Sequence, residues 1–301
     1  ARPDHWVKNA FILPGVVIAV LLADPQITAE TWIKLVIGFF ATCFIASANY
    51  VINEWLDAEF DQYHPTKKFR PVVSEDMKFS LVMAEYFLFI VLGVVCSLFV
   101  NRLFLYMELW LLVMGVIYNV KPIRTKDIPY LDVLSESINN MIRLLLGWFI
   151  ITSEYQPPSS ILVGYWFAGA FLMVTKRFAE YRMIGDPQKA GLYRKSFKYY
   201  TENSLLVSAF FYAMCATFFI GIFMIKYRIE YLVAMPFVFG LFCFYLWISF
   251  KPDSAVQKPE KLYREKKLLV YIVLLIIILL ILTFVDIPLL NYWVDIRLIG
   301  V

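Results

Sequence analysis

Histidine is almost missing from this 301-residue chain, which holds only His5 and His64. Two such residues argue against a histidine-based metal centre or a catalytic triad, each of which relies on imidazole. Cysteine is also sparse. Cys43, Cys96, Cys215 and Cys243 each sit inside an apolar run. Their spacing fits no zinc pattern, so they read as small buried hydrophobes and leave the redox compartment open. Charge is thin at 17% of residues, where a soluble domain carries roughly a quarter. There is no glycine-rich phosphate loop, nucleophile elbow or dinucleotide fingerprint, and no low-complexity tract.

What fills the chain instead is apolar: 61% of residues are hydrophobic. The stretch LLVYIVLLIIILLILTF, residues 268–284, is apolar on every face and cannot be a surface helix. Segments of spanning length fall at about 10–23, 32–52, 79–99, 103–119, 132–152, 160–175, 204–225, 230–250 and 268–290. Backbone groups in lipid must be satisfied internally, so these nine spans are expected to be helices. The reading is an all-α polytopic membrane protein forming one domain over residues 1–301. The polar opening ARPDHWVKN carries no cleavable signal pattern, and a start without Met is expected from a processed or trimmed N-terminus.

Charge placement sets the expected orientation. Of 28 Lys and Arg, 22 fall in the N-terminus and in the loops at 54–78, 120–131, 176–203 and 251–267, and only 4 on the opposite side. Positively charged loops stay in the cytoplasm, so the N-terminus and the long charged loops are expected there. Function is expected on that face.

The stretch NEWLDAEFDQYHPTKKFRP, residues 53–71, is dense in charge just after an apolar run. If the second helix continues past Ile52, then Asn53, Asp57 and Asp61 recur every four residues, with Glu54 beside them. Oxygen ligands without His or Cys suit a hard cation, and Mg²⁺ is favoured because it shares its shell with substrate phosphates. The plainer alternative is an amphipathic extension with a solvated acidic face.

Two further groups stand out. Within the fifth span, Asp132, Glu136, Asn139 or Asn140, and Arg143 follow a helical stripe, which is expected to line a cavity or to pin helices through internal bridges. KRFAEYR, residues 176–182, places Lys176 and Glu180 four apart with Arg177 between them. It opens the most basic loop, suited to phosphate or to anionic lipid. Acidic ligands and excess cations above a polar-lined helix bundle suit a diphosphate substrate and a partner with a lipid tail.

These residues resemble a known family. Asn53, Glu54, Asp57 and Asp61 are similar to the NDxxDxxxD motif of the UbiA superfamily of intramembrane prenyltransferases, followed by a family-like Arg70-Pro71. YNVKPIRTKDIPYLDVLSE, residues 118–136, resembles its second region, with Asp132 and Glu136 as the paired acids. RPDHWVKN (2–9), HPTKKFRP (64–71) and KRFAEYR (176–182) are closest to the decaprenyl-phosphate phosphoribosyltransferase branch. Glu54 stands where the motif has Asp, and the residues after Arg70-Pro71 lack the usual glycine.

The resemblance implies helices around a central cavity open to the cytoplasmic face of a bacterial membrane. It implies Mg²⁺-dependent transfer of 5-phosphoribose from phosphoribosyl pyrophosphate to a polyprenyl phosphate, a cell-wall precursor lipid, with no nucleic acid involved. Asn53, Asp57 and Asp61 would be catalytic, and Asn53, Glu54, Asp57, Asp61 and Asp132 would hold metal. Lys8, Lys67, Arg70, Lys176, Arg177, Glu136 and Arg143 would contact substrate. Two other readings stand beside it. One is a prenyltransferase using an isoprenyl diphosphate and an aromatic acceptor, and the other is a transporter of an anionic solute.

Overall fold

The computed structural model describes residues 3–63, 71–74, 77–252, 254–257 and 259–290. Among these residues the regular structure is all helical. A 3₁₀ segment, Pro3–Ile12, leads into α1 (Leu13–Ala23). It is followed by α2 (Ala29–Asp61), the short α3 (Pro71–Ser74), α4 (Phe79–Leu98), α5 (Arg102–Asn119), α6 (Leu131–Ile151) and α7 (Ser159–Ile184). Then come α8 (Pro187–Tyr193), α9 (Glu202–Tyr227), α10 (Met235–Ser249) and α11 (Lys266–Phe284).

Local chemistry explains the helix ends. The Thr28 hydroxyl accepts from the Thr31 amide in a reciprocal capping box that starts α2, and Thr201 does the same with Ser204 for α9. Asn101 caps α5 through the Phe104 amide, and Asp186 followed by Pro187 starts α8. Gly185, at φ 67°, ends α7 in the left-handed conformation that favours glycine.

Eight helical segments among the described residues are long and apolar enough to cross a membrane. The expected count of nine differs by α6. Its 21 residues coincide with the fifth expected span, but Asp132, Glu136, Asn139, Asn140 and Arg143 make its first half too polar to qualify. The second helix does continue past Ile52, reaching Asp61 as one 33-residue element. The sixth expected span, 160–175, extends further, since α7 runs 26 residues to Ile184.

The polar helix α6 stays out of lipid because other helices surround it, contacting α1, α2, α5 and α7. One core joins α1, α2, α5 and the buried run Ile142–Ile150 of α6, and a second joins α7, α8, α9 and α10. α1 and α6 meet at backbone distance: a Cβ added to Gly147 would lie 2.1 Å from the Ile12 carbonyl oxygen. Close approach of this kind maximises dispersion contact where lipid removes the hydrophobic drive between helices. Outward-facing Phe87, Val91, Phe210, Phe218, Val273 and Leu274 are exposed, as a lipid-contacting surface requires. The chain is an integral membrane protein.

Candidate active site

The alternating helices bring the end of α2, the end of α5, the start of α6, the end of α7 and α8 to one face. There a small, partly open cleft is lined by Asp57, Phe60 and Asp61 of α2, by Arg124, Lys126 and Asp127, and by Tyr193, Arg194 and Lys195. The loop between α5 and α6 supplies cations that were not singled out from the sequence as site residues. Arg124 Nη2 donates to Asp57 Oδ1 at 3.0 Å, and Lys126 Nζ reaches the same oxygen at 2.5 Å.

Lys126 also donates to Asn119 Oδ1 at 2.8 Å, and the Asn53 amide donates to that oxygen at 2.6 Å. Asn53 therefore stands beside Asp57's partners, as its spacing implies, while bonded to α5. Burial pushes the Lys126 ammonium down to about 8, against the pull of Asp57. Arg124 adopts φ 31°, uncommon for a residue with a Cβ, and its side chain bonds to Asp57, to the Asn119 carbonyl and to Asp127. Strain of this kind persists where surrounding contacts over-determine it.

A second cluster centres on Arg177. Its Nη1 lies 3.1 Å from Glu180 Oε2, its Nη2 3.0 Å from Glu136 Oε2, and its Nε 3.5 Å from Asp132 Oδ2. Tyr118 donates to Glu136 at 2.5 Å. Three carboxylates thus converge on one guanidinium that is 2% exposed, so Arg177, expected to contact substrate, is the hub of a buried ion-pair cluster. Glu180 pairs with Arg177 at 3.1 Å, and its charge also acts on Lys176, its expected partner. Glu136 and Arg143 do not bridge each other. Arg143 donates to Asn9 at 3.1 Å and to the Asn139 carbonyl at 3.2 Å. It lies roughly 16 Å along the helix from Asp132, given 1.5 Å per residue, and anchors the N-terminal segment.

Lys8 places its ammonium 5.7 Å from the Tyr50 ring, one turn before Asn53 and Glu54, and its charge acts on Lys176. These two cations therefore share a neighbourhood. Lys67 and Arg70 lie outside the described residues.

The residues expected to hold metal are placed as follows. Asp57 and Asp61 line one cleft, and Glu54 is half-buried nearby on the same helix. Among the described residues, however, no three His, Cys, Asp or Glu side chains gather as a metal-holding group. Two carboxylates and a carboxamide are an all-oxygen set that fits a hard cation completing its shell with diphosphate oxygens and water. Asp132 does not join them. It is completely buried, and it accepts from Tyr200 at 2.7 Å and Ser196 at 3.1 Å.

The alternation in KPIRTKDIP, which sets Arg124 and Lys126 two residues apart, was the one sequence signal for the missed cations. Tyr118 and Asn119 open the stretch that resembles the second family region, but their partners, like those of Ser196, arise from packing.

Comparison with known proteins agrees with this architecture. The chain is 28% identical over 223 residues to a decaprenyl-phosphate phosphoribosyltransferase of Corynebacterium glutamicum, covering 72% of this chain and 62% of that protein. It is 27% identical over 197 residues to the nodulation protein NoeC of Azorhizobium caulinodans, covering 65% and 61% respectively. The matches thus span under two thirds of these relatives' length. A UbiA homolog from Archaeoglobus fulgidus, solved with DMAPP and Mg²⁺, superposes with a TM-score of 0.70 over 95% of this chain and 98% of that one, at 20% identity. The last likeness shows the fold. The model of the UbiA prenyltransferase family matches residues 12–269, and the chain belongs to that family.

Proposed function

We propose that the chain, acting as one domain over residues 1–301, transfers 5-phosphoribose from phosphoribosyl pyrophosphate to a polyprenyl phosphate and releases pyrophosphate. The observation that carries this reading is the crowding of Arg124, Lys126, Arg194 and Lys195 around Asp57 and Asp61 in one cleft. A diphosphate donor and a phosphate acceptor repel each other, and only a surplus of cations lets them meet. A phenolic acceptor asks for fewer cations and for a base. The relative from Corynebacterium glutamicum, by its name, supports the same choice.

In this reading an acceptor phosphate oxygen bonds to the anomeric carbon as the bond from that carbon to the pyrophosphate oxygen breaks. The electron pair leaves with pyrophosphate. The acceptor is already an anion and needs no strong base, which suits a chain so poor in histidine. Arg124 and Arg194 stabilise the departing charge, Lys126 stands between them, and Lys8 and Lys176 draw in the acceptor phosphate. Asp57, Asp61, Asn53 and Glu54 would hold Mg²⁺, which neutralises the leaving diphosphate. The site faces the cytoplasm of a bacterial membrane, and the polyprenyl tail rests in the surrounding lipid.

The test is transfer of label from phosphoribosyl pyrophosphate to polyprenyl phosphate by purified protein, with Mg²⁺ and then with excess chelator. Chelator-sensitive formation of labelled lipid is expected. No labelled lipid, together with product from an isoprenyl diphosphate and an aromatic acceptor, would replace the reading with a prenyl transfer. Solute movement without pyrophosphate release would replace it with transport.

A further inference from the structure

Asp132 has no room for a metal ion. Its Oδ1 accepts from Tyr200, and its Oδ2 accepts from Ser196 with Arg177 Nε at 3.5 Å and Arg194 Nη1 at 3.9 Å. An ion at roughly 2.1 Å from either oxygen needs an open lone-pair direction, and four protein groups already crowd this fully buried carboxylate.

Three of those groups, Arg194, Ser196 and Tyr200, come from one seven-residue stretch between α8 and α9. One acidic side chain at the start of α6 thus gathers that stretch. The Tyr200 hydroxyl donates to Asp132 Oδ1 and thereby fixes the end of the stretch. Arg194 is held from behind: Nη1 lies 3.4 Å from the Tyr118 hydroxyl, and the guanidinium sits 5.9 Å from the Tyr193 and Phe197 rings. Its Nε is buried without a hydrogen-bond partner, and the residue lines the cleft that contains Asp57 and Asp61. A partly shielded guanidinium at a cleft wall, with its Nε donor unspent, suits an anion.

We propose that Arg194 binds the diphosphate in the Asp57–Asp61 cleft and that Asp132 is the residue that positions it, not a metal ligand. The inference rests on the reading of this cleft as a diphosphate site. The two acidic motifs then have different roles, since the first serves the metal and the second aims a cation.

The experiment uses the full chain in detergent, with inorganic pyrophosphate and Mg²⁺ followed by calorimetry, and Mn²⁺ binding followed by electron paramagnetic resonance at saturating pyrophosphate. Arg194→Gln and Asp132→Asn are each expected to weaken pyrophosphate about tenfold, the loss of one charge-assisted contact. The double variant is expected to bind no worse than the weaker single one, because both changes remove the same interaction. The Mn²⁺ midpoint is expected to move in Asp57→Asn and to stay put in Asp132→Asn.

A shifted Mn²⁺ midpoint in Asp132→Asn, unchanged pyrophosphate affinity in Arg194→Gln, or fully additive losses would overturn the proposal. If Asp132→Asn does not fold, Tyr200→Phe keeps the carboxylate and removes one of its anchors. It is expected to weaken pyrophosphate with the metal midpoint unchanged, and unaltered pyrophosphate binding there counts against the proposal. Pyrophosphate binding that follows this pattern without any labelled lipid product would remove the phosphoribosyl reading and leave this one standing.

Discussion

Lys126 and Asp57 are 69 residues apart in the chain, and their charged groups meet at 2.5 Å. Arg124 reaches the same carboxylate oxygen at 3.0 Å. The acidic end of α2 and the basic loop before α6 therefore form one unit, in which carboxylates and cations share a single cleft.

Asp57 is the central test of that unit. Asp57→Asn removes the charge that opposes Arg124 and Lys126 and keeps the side-chain shape. It is expected to lower transfer by about 100-fold, in the range seen when one group stabilising transition-state charge is lost. Full activity in this variant, measured at saturating Mg²⁺, would remove Asp57 from the metal site.

Arg124 and Lys126 separate by what each leaves behind. Lys126→Gln retains hydrogen bonding toward Asn119 but leaves Asp57 with Arg124, and Arg124→Gln leaves it with Lys126. Each variant is expected to raise the KM for the donor about tenfold, the scale of one charge-assisted contact. Steady-state kinetics decide this, and a change in kcat alone would contradict a binding role.

Arg177 carries a stability prediction. Arg177→Gln strands Asp132, Glu136 and Glu180 without their shared counter-charge. Removing one partner from a buried ion pair costs about 3–5 kcal/mol, so a sharply lower thermal midpoint is expected in detergent. Lys176→Gln lies next to it in sequence, with none of those three ion pairs. It is expected to keep its midpoint and lose acceptor affinity.

Gly147 tests the packing of α1 on α6. With the Ile12 carbonyl oxygen 2.1 Å from an added Cβ, Gly147→Ala must push backbone against backbone. Overpacking costs about 1–3 kcal/mol, and the expected outcome is a lower unfolding temperature with unchanged donor KM in the folded fraction.

Much of this molecule was determined by local sequence. Apolar runs of spanning length dictate helices, because no other single-segment structure satisfies its own backbone in lipid. The four-residue recurrence of Asn53, Asp57 and Asp61 puts them on one side of α2, since helical periodicity needs no knowledge of the rest of the fold. The charge excess likewise falls on loops that flank the cleft of Asp57 and Asp61, and counting Lys and Arg needs no knowledge of the fold.

Only the tertiary structure decided which charges meet. Arg177 looked like a phosphate ligand and is instead enclosed by three acids, while Arg124 and Lys126, unremarkable in their loop, sit on Asp57. Asp132 carries a metal-type motif position and spends both oxygens on the Arg194–Tyr200 stretch and Arg177. Apart from Arg177–Glu180 within α7, such pairings join residues about 40 to 70 positions apart. They depend on how α2, α5, α6 and α7 pack together, which periodicity within any one helix does not encode.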